Sequence, residues 1–237
     1  MTIAMYPATS RNAHAHPQTA LYDVVVLSAD VPHNDPPFPS YPDPMHLLME
    51  GLTGADRRAA RFDYDSNTGP GAQARTLPDR MLGVAAKLNC LEDRLFELDG
   101  GAGFVRTYVS AARRAGRMTG LVCTNLPTTF FKRQQIIDVF EGEFDFVVGE
   151  PVAVLSLFGF KRIDSLIPRL IHRGAGIVLH RVGHPSLFMR PGSANPRIGE
   201  APISRDTFWS QFVPSALDSF VDPTPARTAA PEKSGEH

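Results

Sequence analysis

The chain of 237 residues contains only two cysteines, Cys90 and Cys123. Two thiols are too few for a disulfide framework, a four-thiolate zinc site or a cysteine-ligated iron–sulfur cluster. An excess of charge of one sign is also missing, because 24 Lys and Arg residues face 25 Asp and Glu residues. This balance argues against a broad surface for nucleic acid or anionic membranes, so we expect neither as a partner.

Long hydrophobic runs are absent as well. No apolar stretch approaches the roughly 20 residues that are needed to span a bilayer. The first residues, MTIAMYPATSRNAHAHP, lack the apolar core of a secretory signal, so we expect a cytoplasmic protein. Hydrophobic residues nevertheless make up 43% of the chain, a fraction typical of a folded globular protein.

Proline, glycine and polar residues mark where regular structure should stop. The last segment, DPTPARTAAPEKSGEH, has no large apolar side chain that could offset its ordering entropy. The sequence predicts a disordered tail over 1–20, a single α/β domain over 21–205, a helical or extended segment over 206–221 and a second disordered tail over 222–237.

Short β-branched runs alternate with helical patterns between these tails. We predict strands over 22–28, 94–98, 119–124, 144–148 and 176–182. We predict helices over 45–52, 104–115, 131–140, 152–158 and 165–172. Strands that alternate with helices through short loops indicate a Rossmann-like α/β fold, in which helices flank a mostly parallel sheet.

Ligands of such sheets bind beyond the carboxyl ends of the strands, so the loops there are the candidate sites. The glycine turn DGGAG at residues 99–103 could hold phosphate on its backbone N–H groups, but it lacks the third glycine of the dinucleotide fingerprint. It also lacks a Lys-Ser/Thr pair, so a plain turn into a helix is favoured. His180 and His184 have no cysteine or paired carboxylate at ligand spacing, and no metal site is predicted.

Residues 119–155, TGLVCTNLPTTFFKRQQIIDVFEGEFDFVVGEPVAVL, resemble the end of the cobalamin-binding, Rossmann-like domain of cobalamin-dependent radical-SAM enzymes. Residues 24–52 are similar to the opening strand, proline-rich loop and first helix of that domain. The resemblance implies a cobalamin cofactor across the strand ends, held by Ser28, Ala29, Asp30, Asn125, Pro127, Thr128, Gly149 and Glu150. The three-cysteine motif of the radical-SAM barrel is absent, so the module would carry no iron–sulfur cluster. It would bind a corrinoid, or be a degenerate module that has lost this ability, and it would act with a separate catalytic subunit.

Two alternatives remain open at this point. Residues 103–125 are similar to the helix and second motif of haloacid-dehalogenase-like phosphohydrolases, with Thr124 or Asn125 at the polar position. The nucleophile position after the first strand is occupied by Ser28 instead of aspartate, so this activity would be degenerate. The third possibility is a non-catalytic interaction protein.

Overall fold

The structure is a computed structural model that describes residues 22–30, 42–55, 57–65, 86–124 and 126–221. The predicted tails over 1–20 and 222–237 lie outside the described residues, as does most of the proline-rich loop after the first strand. The predicted division of the chain into domains therefore stays a prediction.

Eight strands form one sheet in the order β2-β1-β3-β4-β5-β6-β7-β8. Their bounds are β1 Tyr22–Asp30, β2 Ala59–Asp65, β3 Ala86–Glu92, β4 Met118–Cys123, β5 Phe146–Gly149, β6 Gly176–Leu179, β7 Pro185–Met189 and β8 Arg197–Pro202. The first six strands pair in parallel, and β7 and β8 continue the sheet in antiparallel pairs. The predicted α/β fold with a mostly parallel sheet is confirmed.

Helices cover both faces of this sheet. They are α1 Pro44–Gly54, a 3₁₀ helix Asp93–Glu97, α2 Gly101–Arg114, α3 Leu126–Phe131, α4 Arg133–Glu143, α5 Pro151–Phe158 and α6 Ile163–Arg173. The last helix, α7, runs without a break through Arg205–Thr207, a π-helical Phe208–Phe212 and Val213–Val221. Helices α2, α4, α5 and α6 bury their apolar stripes on one face, and α1 and α7 bury theirs on the other.

The third strand lies at a different position from the one that the sequence pattern predicts. Residues 94–98 were predicted as a strand, but they lie in the 3₁₀ helix and the residue after it, and β3 comes just before them. This strand contains Asn89, which looks too polar for a central position, yet Asn89 is fully buried. It accepts a hydrogen bond from the Tyr108 hydroxyl at 2.7 Å and donates one to the Met118 carbonyl at 3.2 Å. Partners distant in sequence therefore make a polar residue acceptable inside the sheet.

After β2, the chain crosses to the other side of β1, where it forms β3. The connection after β1 runs to β2 on one side and the connection after β3 runs to β4 on the other, which makes the β1/β3 boundary a topological switch point. The carboxyl ends of all six parallel strands meet at one edge of the sheet, and the loops that follow them carry the candidate site. None of the helices in the described residues is long and apolar enough to cross a membrane.

Candidate functional site

The switch point between β1 and β3 is filled by buried polar side chains, and we call it the closed crevice. Glu92 at the end of β3 is 2% exposed, and one of its carboxyl oxygens accepts a hydrogen bond from the Ala29 N–H at 3.2 Å. Its second oxygen lies 2.9 Å from the Thr124 hydroxyl. That hydroxyl also lies 3.1 Å from a carboxyl oxygen of the fully buried Asp93, which accepts from the Thr124 N–H as well.

One hydroxyl hydrogen cannot serve two carboxylates at once. Burial raises the pKa of Glu92, although its bonds to Thr124 and Ala29 act in the opposite direction. A protonated Glu92 would donate to the Thr124 oxygen and leave the hydroxyl hydrogen for Asp93. The carboxyl pair is thus satisfied internally when it carries one proton.

Arg61 of β2 completes the closed crevice. Its Nε donates to the Ser28 hydroxyl at 2.9 Å, and its Nη1 lies 3.1 Å from the Asp43 carboxylate at the start of α1. Ser28 is fully buried. These groups join β1, β2 and α1, so they stabilise the fold at the point where the topology alone favours a ligand.

An open cleft of about 670 Å³ lies further along the same edge, at the ends of β4, β5 and β6. Its walls are Cys123, Thr124, Glu150, Val152, Ala153, His180, Val182, Gly183, Ile203, Ser204 and Arg205. Val152 and Val182 are 64% and 77% exposed, which is unusual for two apolar side chains on one cleft. The open cleft therefore combines apolar walls with a charged end.

The charged end is where α7 begins. Ser204 caps this helix by accepting a hydrogen bond from the Thr207 N–H at 3.1 Å, so the earlier N–H groups of Arg205 and Asp206 have no intrahelical acceptor. The Nε of Arg205 donates to the Glu150 carboxylate at 2.6 Å, which ties the start of α7 to the end of β5. Asp206 is exposed on the first turn, and its carboxylate has no hydrogen bond or ion pair within the part of the chain that the structure describes.

His180 follows β6 and is 3% exposed. Its Nε2 lies 3.1 Å from the Ile203 carbonyl oxygen, and its ring lies against Phe208 with the ring centroids 5.0 Å apart. A carbonyl oxygen only accepts, so Nε2 must carry the hydrogen in this contact. These contacts fix the ring at the wall of the open cleft.

A second cleft of about 420 Å³ lies at the glycine turn, and we call it the glycine-turn cleft. Its polar walls include Glu97, Asp99, Lys132 and Gln135. Gly100 has a φ of 73° and caps α2, so the turn needs glycine for its left-handed backbone. Helix α3 lies between the two clefts, since it contacts the 3₁₀ helix on one side and α5 on the other.

The predicted site residues are distributed over this whole edge. Ser28 and Ala29 belong to the closed crevice, and Glu150 lines the open cleft, whereas buried Gly149 ends β5 beside it. Asp30 ends β1, Pro127 is exposed on α3, the buried Thr128 hydroxyl donates to Glu97, and Asn125 lies outside the described residues. Since β1 and β5 are three strand spacings apart, about 14 Å, these residues do not surround one compact pocket. Whether they contact a ligand stays a prediction.

Arg205 and Asp206 were missed by the sequence reasoning. Ser204 followed by an acidic residue ahead of the apolar Phe208 and Trp209 is a typical helix start, and it could have directed attention to this segment. The described residues contain no group of three or more His, Cys, Asp or Glu side chains that could hold a metal ion. Cys90 and Cys123 are both buried, and burial raises the pKa of each thiol.

Comparison of the fold with solved structures gives a consistent class of neighbours. Adenosine kinase from Sinorhizobium meliloti matches with a TM-score of 0.63 and 12% identity, over 84% of this chain and 88% of that one. A probable sugar kinase from Rhizobium etli matches with a TM-score of 0.61 and 11% identity, over 84% and 88%. A putative ribokinase II from E. coli, solved in complex with ATP and Mg²⁺, matches with a TM-score of 0.59 and 10% identity, over 84% and 87%.

The chain therefore has the ribokinase-like fold of sugar and adenosine kinases. No protein-family model matches the sequence, and no curated protein matches it. At identities of 10 to 12%, the likeness to these structures establishes the fold and nothing more specific.

These neighbours overturn the functional predictions. The resemblance to a cobalamin-binding domain is wrong, and with it the cobalamin cofactor and the association with radical-SAM enzymes. The physical reason is that a strand, a turn with Pro and Thr and a Gly-Glu turn occur in many parallel sheets, so these local motifs do not distinguish one α/β fold from another. The alternatives of a haloacid-dehalogenase-like hydrolase and of a non-catalytic interaction protein are not supported either. The separate catalytic subunit stays an untested prediction.

Proposed function

We propose that this protein is a small-molecule kinase that binds ATP in the open cleft and transfers its terminal phosphoryl group to a hydroxyl group of a small polar acceptor. The observation that carries the proposal is the open cleft itself, in which a helix start and Arg205 face apolar walls at the carboxyl ends of β4, β5 and β6. The kinase names of the structural neighbours support the same class of reaction.

The charged end of the open cleft suits phosphate groups. The N–H groups at the start of α7 and the positive end of its dipole favour an anion there. Arg205 adds a guanidinium, whose planar set of N–H donors fits phosphate oxygens. The exposed Val152 and Val182 offer the apolar contact that a nucleobase needs.

Phosphoryl transfer requires an acceptor oxygen to form a bond to the γ-phosphorus while the bond to the bridging oxygen of ADP breaks. The proton of the acceptor hydroxyl must leave with a base. Asp206 is the candidate, because its carboxylate is exposed beside the phosphate end, whereas Glu150 is already paired with Arg205. We place the acceptor hydroxyl beside Asp206 at the charged end of the open cleft, because α3 separates the glycine-turn cleft from this end.

Magnesium accompanies ATP in the E. coli neighbour, and the residues here fit that ion modestly. Mg²⁺ in such sites uses one or two carboxylates, with the remaining positions taken by phosphate oxygens and water. Glu150 supplies a carboxylate at the cleft, so it would hold the ion together with phosphate oxygens and water. When bound, the ion neutralises charge on the phosphates.

Calorimetric titration of the full chain with Mg²⁺–ATP tests binding, and a coupled assay for ADP with a panel of sugars and nucleosides tests transfer. We expect ATP to bind and ADP to form faster with one class of acceptor than with water. Failure of ATP to bind at millimolar concentration would refute the proposal. If ATP binds but no acceptor leads to ADP formation, phosphoryl transfer is refuted and only nucleotide binding is supported.

A further inference from the structure

His180 has a buried nitrogen whose role the proposed function does not explain. Within the part of the chain that the structure describes, the Nδ1 atom of His180 is buried and has no hydrogen-bond partner. The ring is 3% exposed, and the residue lines the open cleft. Buried polar atoms are rarely left without a partner, so the unpaired Nδ1 of a residue that lines the open cleft calls for a donor from a ligand or an ordered water.

The chemistry of that group follows from the tautomer. Nε2 carries a hydrogen because it faces the Ile203 carbonyl oxygen at 3.1 Å, so Nδ1 of the neutral ring has a lone pair and accepts. An ionised phosphate oxygen offers no hydrogen and cannot satisfy it. The complementary group is an uncharged O–H or N–H donor.

The position of His180 in the open cleft indicates which donor group of a bound nucleotide would lie near Nδ1. On one side the ring is bonded to Ile203, next to Ser204 and Arg205 at the phosphate end. Two residues further along the chain, Val182 is 77% exposed and lines the same cleft. The part of a nucleotide between the phosphates and the base is the ribose, whose donors are hydroxyl groups.

We propose that His180 Nδ1 accepts a hydrogen bond from a ribose hydroxyl and so makes the open cleft selective for ribonucleotides. The inference rests on the proposed function, because it places ATP in the open cleft. His180 is a binding residue in this assignment, and phosphoryl transfer does not require it to gain or lose a proton.

Ser186 provides the competing explanation. It lies opposite His180 when the β6–β7 pairing is continued by one residue, and its buried hydroxyl also lacks a partner among the described residues. An ordered water that bridges Nδ1 and the Ser186 hydroxyl would satisfy both atoms without a ligand. Such a water would make His180 a structural residue.

Two substitutions of His180 separate these explanations. In His180→Gln the side-chain amide can still donate to the Ile203 carbonyl, but no acceptor remains at the place of Nδ1. In His180→Asn an amide oxygen can occupy the place of Nδ1, while the bond to Ile203 is lost. Ser186→Ala is the control, since it removes the partner of a bridging water and leaves the histidine unchanged.

The experiment compares dissociation constants for ATP, 2′-deoxy-ATP, 3′-deoxy-ATP and inosine triphosphate, which replaces the base amine with an oxygen. We expect the unmodified protein to bind ATP about tenfold more tightly than one of the two deoxy analogues, as for one hydrogen bond to a neutral partner. His180→Gln should abolish this ratio, whereas His180→Asn and Ser186→Ala should keep most of it.

Each other outcome identifies what has failed. If ATP binds and His180→Gln leaves the ratios of both deoxy analogues unchanged, the assignment of His180 is wrong and the proposed kinase stands. If His180→Gln changes only the ratio for inosine triphosphate, the donor is the base and the ribose assignment is wrong. If Ser186→Ala abolishes the ratio as fully as His180→Gln, the ribose hydroxyl is held through Ser186 or a shared water, and direct acceptance by His180 Nδ1 is wrong. Absence of ATP binding refutes the inference together with the proposed function.

Discussion

The closed crevice and the open cleft lie on the same edge of the same sheet, yet they use charged side chains in opposite ways. In the closed crevice, Glu92 and Asp93 share the Thr124 hydroxyl and Arg61 holds Ser28, so polar groups satisfy one another. At the open cleft, His180 has an unpaired nitrogen, and next to its charged end the exposed Asp206 has no side-chain partner among the described residues. Internal pairing stabilises the fold, whereas unpaired groups beside a cleft are available to a ligand.

The comparison also limits a general rule. The topological switch point between β1 and β3 is the expected place for a ligand in an open α/β sheet. Among the described residues it is occupied by buried polar side chains, and a cleft of about 670 Å³ lies two to three strands further on, between β4 and β6. The rule therefore identifies the correct edge of the sheet. Within the described residues, the side chains at each crevice determine whether a ligand can enter it.

The largest expected effect tests Asp206 as the base. Asp206→Asn should lower the turnover number about 10²- to 10⁴-fold, because an amide cannot take the proton of the acceptor hydroxyl. The dissociation constant for ATP should change little, and a coupled ADP assay with parallel calorimetry measures both.

Asp164→Asn is the matched control for this prediction. Asp164 also lies in the first turn of a helix, and its side chain is 80% exposed. The same chemical change there should leave turnover unaltered. Equal losses in the two variants would show that Asp206 acts only through the charge at a helix start.

The closed crevice and the open cleft each contain one partly exposed arginine, and substituting each in turn compares the two regions directly. The side chains of Arg61 and Arg205 are each 28% exposed, and each is paired with a carboxylate. Arg205→Met should weaken ATP binding about 10- to 100-fold by removing a charged donor, with a small change in the free energy of unfolding. Arg61→Met should lower the free energy of unfolding by about 1–3 kcal/mol, because it removes a charged donor to the buried Ser28 hydroxyl and the ion pair with Asp43, and it should leave ATP affinity unchanged.

Calorimetry and urea denaturation of both arginine variants provide the test. The contrast between the two regions is refuted if Arg61→Met weakens ATP binding as much as Arg205→Met does. It is also refuted if the larger loss of stability belongs to Arg205→Met.

A third prediction concerns the pH dependence of the closed crevice. Burial raises the pKa of Glu92, so the folded state holds this proton more tightly than the unfolded state does. Its contribution to stability is present below the unfolded pKa, about 4.3, and is lost as the pH rises through the higher folded value. Glu92→Gln keeps the group neutral at every pH, and it can still accept from Ala29 and donate to Thr124.

The free energy of unfolding should therefore favour Glu92→Gln increasingly as the pH rises. Relative to the unmodified protein, we expect the variant to become steadily more stable between pH 5 and pH 8 in urea denaturation. The difference between the two proteins cancels the titration of other groups, such as Asp145, whose pKa burial also raises. A difference that stays constant with pH would contradict a shared proton at Glu92.

The fold could be predicted further than the site, and the reason is physical. The strand over residues 22–28 and the helix over 104–115 are local patterns of apolar residues, and periodicity shows them directly. The edge that carries the loops follows from parallel pairing. By contrast, Glu92 meets Ala29 across 63 positions, and Arg205 meets Glu150 across 55. Only the folded chain shows which charges are satisfied internally, so the sequence could not distinguish the closed crevice from the open cleft.

The smallest expected effect concerns an apolar wall of the open cleft. Val182 is 77% exposed, so its side chain contributes little to the core and Val182→Ala should change the free energy of unfolding by less than about 0.5 kcal/mol. The same change removes two methyl groups from the surface on which we place the base, and it should weaken ATP binding roughly threefold to tenfold. Inorganic triphosphate has no base, so its affinity should not change, and calorimetry with both ligands makes this comparison. If Val182→Ala weakens the binding of both ligands equally, the base does not contact this wall, because a lost apolar contact can affect only a ligand that has an apolar part.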